Sequence, residues 1–208
     1  MTRRIVIILV AVLAAALTVG AALGGCGTNT TAPSASSPAI PQDHNQADVA
    51  FAQNMIPHHA QAIAMSRLAA QQAVSPQVKD FAARIQTAQQ PEIEQLSGWL
   101  RAWHDPVPAT NSPMGGMEQG DMGQMDHDAS GPMPGMMSGD QMHQLEQATG
   151  PAFDQMYLQM MITHHQGAIT IAQTELRAGQ NPDARQLAQR IIDTQQREIT
   201  EAQAILGR

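Results

Sequence analysis

Two stretches of the chain, residues 45 to 104 and 151 to 207, carry apolar positions at helical spacing, and neither shows the alternation that marks a strand. Each is predicted to hold two helices. Asn45 or a neighbour caps the first, with Asp48 in its opening turn, where a carboxylate suits the helix dipole. Ser75-Pro76 and Asn181-Pro182 then place a capping residue before proline at a first helical position, a start signal that occurs at the same point of both stretches. A short break between helices makes each stretch an antiparallel hairpin, and two hairpins make a four-helix bundle.

The stretches are copies of one another. At an offset of 106 residues, Asp48, Met55, Ile56, His58, His59, Ala62 and Ile63 fall without a gap on Asp154, Met161, Ile162, His164, His165, Ala168 and Ile169. The match continues from Pro76, Ile85, Gln89, Glu92 and Ile93 onto Pro182, Ile191, Gln195, Glu198 and Ile199. Ungapped similarity of this length means duplication of a structural unit. The domain organisation is therefore hairpin repeat 1 over 44–104, a Met- and Gly-rich loop over 105–137, and a short helix capped by Ser138 plus hairpin repeat 2 over 138–208. Most of the loop is expected to lie outside the bundle.

The first residues follow another pattern. Arg3 and Arg4 precede an apolar run from Ile5 to Leu23, closed by small residues and Cys26. A basic start, an apolar middle and small residues before a cleavage point make residues 1–25 a secretory signal peptide. The position of the one cysteine makes it the lipidated first residue of an exported lipoprotein held on the membrane; an uncleaved anchor is the alternative. Residues 26–43, rich in Thr, Ser, Ala and Pro, read as a flexible tether. Loss of Arg3 and Arg4 from eleven basic residues leaves nine against eighteen acidic ones, a balance that argues against nucleic acid.

The candidate chemistry lies in the paired histidines. On a helical wheel Asp48, Met55 and His59 share a stripe bordered by His58; Asp154, Met161, His164 and His165 repeat it, with Met160 one turn before His164. Counting outward from each turn puts Gln89 and Glu92 level with the first pair, and Gln195 and Glu198 level with the second. Met55, His58, His59, Met161, His164 and His165 are the candidate metal ligands. Asp48, Gln89, Glu92, Asp154, Met160, Gln195 and Glu198 are candidates for further ligands or for partners that orient the imidazoles. The competing reading is a His–Glu hydrogen-bond network that only keeps the helices in register. Pro57 and Pro91 lie beside the layer in repeat 1 alone and suggest that it is locally opened there. A ligating imidazole must be neutral, so binding is expected to weaken as pH falls through the imidazole range.

The loop crowds Met114, Met117, Met122, Met125, Met133, Met136 and Met137 together with His127. Thioether sulfur suits Cu(I), and imidazole accepts either copper oxidation state, so the loop is an auxiliary copper-binding candidate; a low-complexity linker is the alternative. DVAFAQNMIPHHAQAI, FDQMYLQMMITHHQGAI and the later Q-x-x-E-I of each copy closely resemble the bacterial family called domain of unknown function 305, as does MMSGDQMHQLEQATG. The resemblance covers about residues 45 to 207. It implies a ferritin-like four-helix fold, an exported or lipid-anchored protein and, for some members, copper binding through residues matching Met55, His58, His59, Met161, His164 and His165. No arrangement of a catalytic nucleophile is present. The expected function is thus extracytoplasmic copper binding without catalysis, for sequestration or exchange with a donor or acceptor protein. A metal-free envelope protein and a ferritin-like di-iron protein are the other classes, although the Glu-x-x-His signature of the latter is missing from the chain.

Overall fold

A computed structural model describes residues 43–110 and 133–207, and these are all helix and connecting turn. In chain order the helices are α1 (Gln46–Gln72), α2 (Pro76–Trp103), α3 (Gly139–Gln147), α4 (Gly150–Ala178) and α5 (Pro182–Leu206). α1 packs on α2 and α4 on α5 as two hairpins, and the hairpins join through α1 against α4. None of the described helices is long and apolar enough to cross a membrane. Cys26, Met114, Met117, Met122, Met125 and His127 lie outside the described residues.

The starts of the helices follow local chemistry. Asn45 accepts from the backbone N–H groups of Ala47 and Asp48, and the Asp48 carboxylate returns 2.7 Å to the Asn45 N–H, closing a capping box. Asn181 caps α5 by accepting from Asp183 and Ala184. Ser138 and Gln141 form a second capping box at α3.

Asp48 does more than cap its own helix. Its carboxylate also accepts from Gln180 N at 3.1 Å and Asn181 N at 2.9 Å, in the turn between α4 and α5. Asp154, its counterpart, accepts from Val74 N at 3.1 Å and Ser75 N at 2.9 Å, in the turn between α1 and α2. Each repeat therefore latches the turn of the other. This reciprocity brings the start of α1 to the end of α4 and the reverse, so the two central helices run antiparallel. Burial alone would push the Asp48 carboxyl up, but the bonds from Asn45, Glu175, Asn181 and Gln180 outweigh it and hold the group below its usual range. Asp48 and Asp154 accordingly leave the set of metal-site candidates: each is a turn latch.

Two apolar clusters fill the interior. One gathers Phe51, Met55, Ile56, Leu96, Trp99, Leu100, Leu187 and Ile191; the other gathers Met65, Phe81, Ile85, Leu145, Phe153, Tyr157, Leu158 and Met161. Full burial of one such side chain contributes about 1.5–3 kcal/mol, so these clusters supply the drive to fold. Tyr157 enters the second cluster with its hydroxyl bonded to Ser66 at 2.9 Å.

One expectation needs correction. The helices run on through Pro57 and Pro91, and His58 and His59 are wholly buried, so repeat 1 is not opened at its polar layer. Residues 133–137, the end of the loop, are a part of it that does join the bundle. Met133 packs against the first apolar cluster and Met137 is buried in the second, so this segment straps across the bundle between them. Met133 and Met137 thus serve as apolar anchors.

Candidate metal centre

Because α1 and α4 are antiparallel copies, one pair of equivalent residues must meet at the middle of their contact. That pair is His58 and His164, whose ring centroids stand 3.9 Å apart with planes inclined by 46°. The local pseudo-twofold relation passes between two imidazoles. His59 and His165 flank them, each turned toward the outer helix of its own hairpin. His59 Nε2 lies 2.6 Å from Glu92 Oε2, and His165 Nε2 lies 2.8 Å from Glu198 Oε2. The second contact is out of line for a hydrogen bond. Gln89 and Gln195 are buried one turn before these glutamates.

The sequence-predicted histidines, glutamines and glutamates are therefore brought to one level. Met55 and Met161 are wholly buried one turn before their histidine pairs. They belong to different apolar clusters, so they approach the layer from opposite ends. Met160, half-buried, faces the groove beside Met137 and Met156. Met136 is half-buried on the strap.

Three residues that sequence reasoning missed complete the layer. The Pro134 carbonyl lies 3.0 Å from His58 Nε2. Gln61 holds the strap through both ends of its amide: Nε2 donates to Met137 O and Oε1 accepts from Met137 N, each at 2.8 Å. Gly167 lets the strap backbone lie against α4, since a Cβ there would come within 2.0 Å of the Pro134 carbonyl oxygen. The available signal was the offset itself: Gln61 and Gly167 occupy one repeat position which, with its neighbour Ala60/Gln166, differs between the matched His-His and Ala-Ile pairs.

Partner chemistry places two ring protons. A carbonyl or carboxylate can only accept, so His58 and His59 each carry a proton on Nε2, and neutral His58 presents a lone pair at Nδ1. Both Nδ1 atoms are buried with no hydrogen-bond partner, as are His165 Nδ1, both ring nitrogens of His164, both amide atoms of Gln89 and Gln195 Oε1. An unmade hydrogen bond costs about 1–3 kcal/mol for each buried group, which makes this layer a poor choice as a register device alone. Burial, followed by the charge of His59, pushes His58 down to about 3 against the weaker opposing effect of the Pro134 carbonyl. Burial, followed by His58, His165 and His59, holds His164 well below its ordinary value. Both imidazoles are neutral near pH 7 and their lone pairs are free to bind.

Among the described residues no three His, Cys, Asp or Glu side chains converge as a set able to hold a metal ion. Donors of another class are needed to complete a ligand set, and the thioethers of Met55 and Met161 are the ones buried beside this layer. Imidazole with thioether is a soft to borderline donor set that suits Cu(I).

Known proteins agree with this fold. The chain resembles a DUF305 protein of Streptomyces coelicolor described as a candidate secreted protein, with 27% identity and a TM-score of 0.64 over 77% of this chain and 91% of that one. A DUF305 fragment from Deinococcus radiodurans matches at 28% identity and a TM-score of 0.63, covering 78% of this chain and 97% of that chain. The structure of CopM in its Cu(II)-bound form matches at 28% identity and a TM-score of 0.60, covering 77% and 95%. CopM in its Cu(I)-bound form matches at 29% identity and a TM-score of 0.57, covering 76% and 93%. No curated protein matches the chain. The sequence model of the domain of unknown function DUF305 fits residues 48–206, from the first latch aspartate to the end of α5, and the chain belongs to that family.

Proposed function

We propose that this protein binds copper at the buried histidine layer, as Cu(I) and also as Cu(II), in order to sequester it or hand it on. The observation that carries the reading is the set of four buried imidazoles whose Nδ1 atoms have no hydrogen-bond partner. His58, His59, His164 and His165, with Met55 and Met161, would supply the ligands. Glu92 and Glu198 would orient His59 and His165 and balance charge, as carboxylate partners do for ligating imidazoles elsewhere. Copper is cargo in this reading, and the protein is not an enzyme. The similarity to CopM, solved with Cu(I), Cu(II) and Ag, supports the choice of metal. The signal-like start ending at Cys26 and the relative described as secreted support an exported, lipid-anchored protein that exchanges copper with a donor or acceptor outside the cytoplasm.

The His59–Glu92 hydrogen bond favours a second reading, in which the layer only sets helix register. Thermal unfolding separates the two. Ligand at one hundred times its dissociation constant stabilises the folded state by about 2.7 kcal/mol, and in a chain of this size each kcal/mol raises the midpoint by about 2–4 °C. Protein purified without chelator should retain copper by metal analysis, and the stripped protein should gain about 5–10 °C on adding Cu(I) under reducing conditions. A midpoint that neither Cu(I) nor Cu(II) moves would leave only the register reading.

A further inference from the structure

We infer that Gln61 and Gly167 are positioning residues for the His58 imidazole: they dock residues 134–137 so that the Pro134 carbonyl accepts a hydrogen bond from Nε2–H and leaves the Nδ1 lone pair to bind metal. The inference deepens the copper reading, since it assigns a donor atom within that site. It rests on geometry at one duplicated position. Residues 61 and 167 are equivalents in the two repeats and stand one turn beyond the central histidines. A symmetric pair could not hold an asymmetric strap. In repeat 1 the position carries an amide that pairs with both backbone groups of Met137. In repeat 2 it carries no side chain, and the strap backbone occupies the space, with the Pro134 carbonyl lying where a Cβ would point. Gly135 completes the fit with φ of 75°, a conformation that favours glycine, and a Cβ on it would meet Thr163 O at 2.7 Å.

The consequence falls on one of two equivalent imidazoles. His58 Nε2 has its carbonyl, whereas neither nitrogen of His164 has a partner. The strap thus removes the symmetry of the central pair: His58 has one defined donor atom, and His164 stays free to use either nitrogen. The divergence of position 61/167 is what makes this possible.

The test begins without metal, so that it stands apart from the copper reading. In metal-free protein with 15N-labelled histidine, long-range 1H–15N correlations should show His58 as the Nε2–H tautomer. Gly167→Ala and Gln61→Ala should each mix the His58 tautomers and leave His59, held by Glu92, unchanged. Gly167→Ala also improves the helix propensity of α4, so an effect on fold stability alone would not reproduce that pattern. In Cu(I) competition each variant should lose about 10- to 100-fold in affinity, as expected for loss of an outer partner of a ligating histidine. The double variant should lose little more than the worse single one, because both act through the same strap. If Gly167→Ala fails to fold, Gln61→Ala alone carries the test. An Nδ1–H tautomer at His58 in the parent, or an unchanged His58 tautomer in a folded Gln61→Ala protein, would overturn the inference.

Discussion

His58 sets the acid response at the level of single residues. Its folded-state pKa of about 3 lies below the ordinary 6.5, and His164 is depressed in the same direction, with burial as the leading cause in both. Between 6.5 and about 3 the unfolded chain therefore binds a proton at His58 that the folded protein refuses. The stabilisation is complete above about pH 6.5 and is lost progressively as pH falls toward 3. Each such group adds a slope of about 1.4 kcal/mol per pH unit within its window. In the metal-free protein below pH 6, His58 and His164 together should remove about 2–3 kcal/mol per pH unit. Glu175 opposes them by about 1.4 kcal/mol per pH unit, because burial and Asp48 push it up to about 8 and it gains stability as pH falls from there toward its ordinary 4.5. Urea titrations between about pH 5 and 6 should show a slope smaller by about 1.4 kcal/mol per pH unit in His58→Gln than in the parent. An unchanged slope in that variant would mean that His58 is not held neutral. The same shift revises the expectation that copper binding weakens through the ordinary imidazole range: at His58 proton competition moves down toward pH 3.

At the scale of helices, the latch aspartates explain a pattern that the wheel misread. Asp48 shares a stripe with Met55 and His59 in projection, but ten residues separate it from His58, about 15 Å along an α-helix. A wheel discards that axial coordinate, which is why a turn latch and a metal-site residue look alike on it. The glutamates were read correctly because counting from the hairpin turn retains the coordinate, and His59–Glu92 and His165–Glu198 meet as that count requires. Proline was over-read. Pro57 removes one backbone hydrogen bond, but the helix on both sides is held by buried side chains from Val49 to Met65, and tertiary packing outweighs the local loss. Asp48→Ala and Asp154→Ala should each cost about 2–4 kcal/mol, because each leaves two turn N–H groups without a charged acceptor. Denaturant unfolding measures that cost, and copper stoichiometry should not change. A folded Asp48→Ala protein that had lost a copper equivalent would return this residue to the ligand set.

Over the whole molecule, the duplication made most of the fold legible before any coordinate. Four of the five helices, the hairpin pairing and the level of the polar layer follow from the 106-residue offset and the two Ser/Asn-Pro starts, and α3 follows from Ser138 as a cap. The pairing of α1 with α4 did not follow, because apolar stripes say that hairpins associate and not which helices touch. Nor did the strap: residues 133–137 resemble the Gly- and Met-rich stretch before them, and only the contacts of Gln61, Gly167 and His58 distinguish them. The account as a whole depends on the four central histidines acting as ligands. Replacing His58, His59, His164 and His165 together by Ala removes every imidazole from the layer and leaves the charge near neutral pH almost unchanged. A competition titration of parent and variant against a chromogenic Cu(I) chelator, with folding of both confirmed by circular dichroism, measures the difference directly. The account predicts a loss of at least about a thousandfold in affinity, about 4 kcal/mol. Equal affinities in two folded proteins would contradict it and leave the histidine layer as scaffolding.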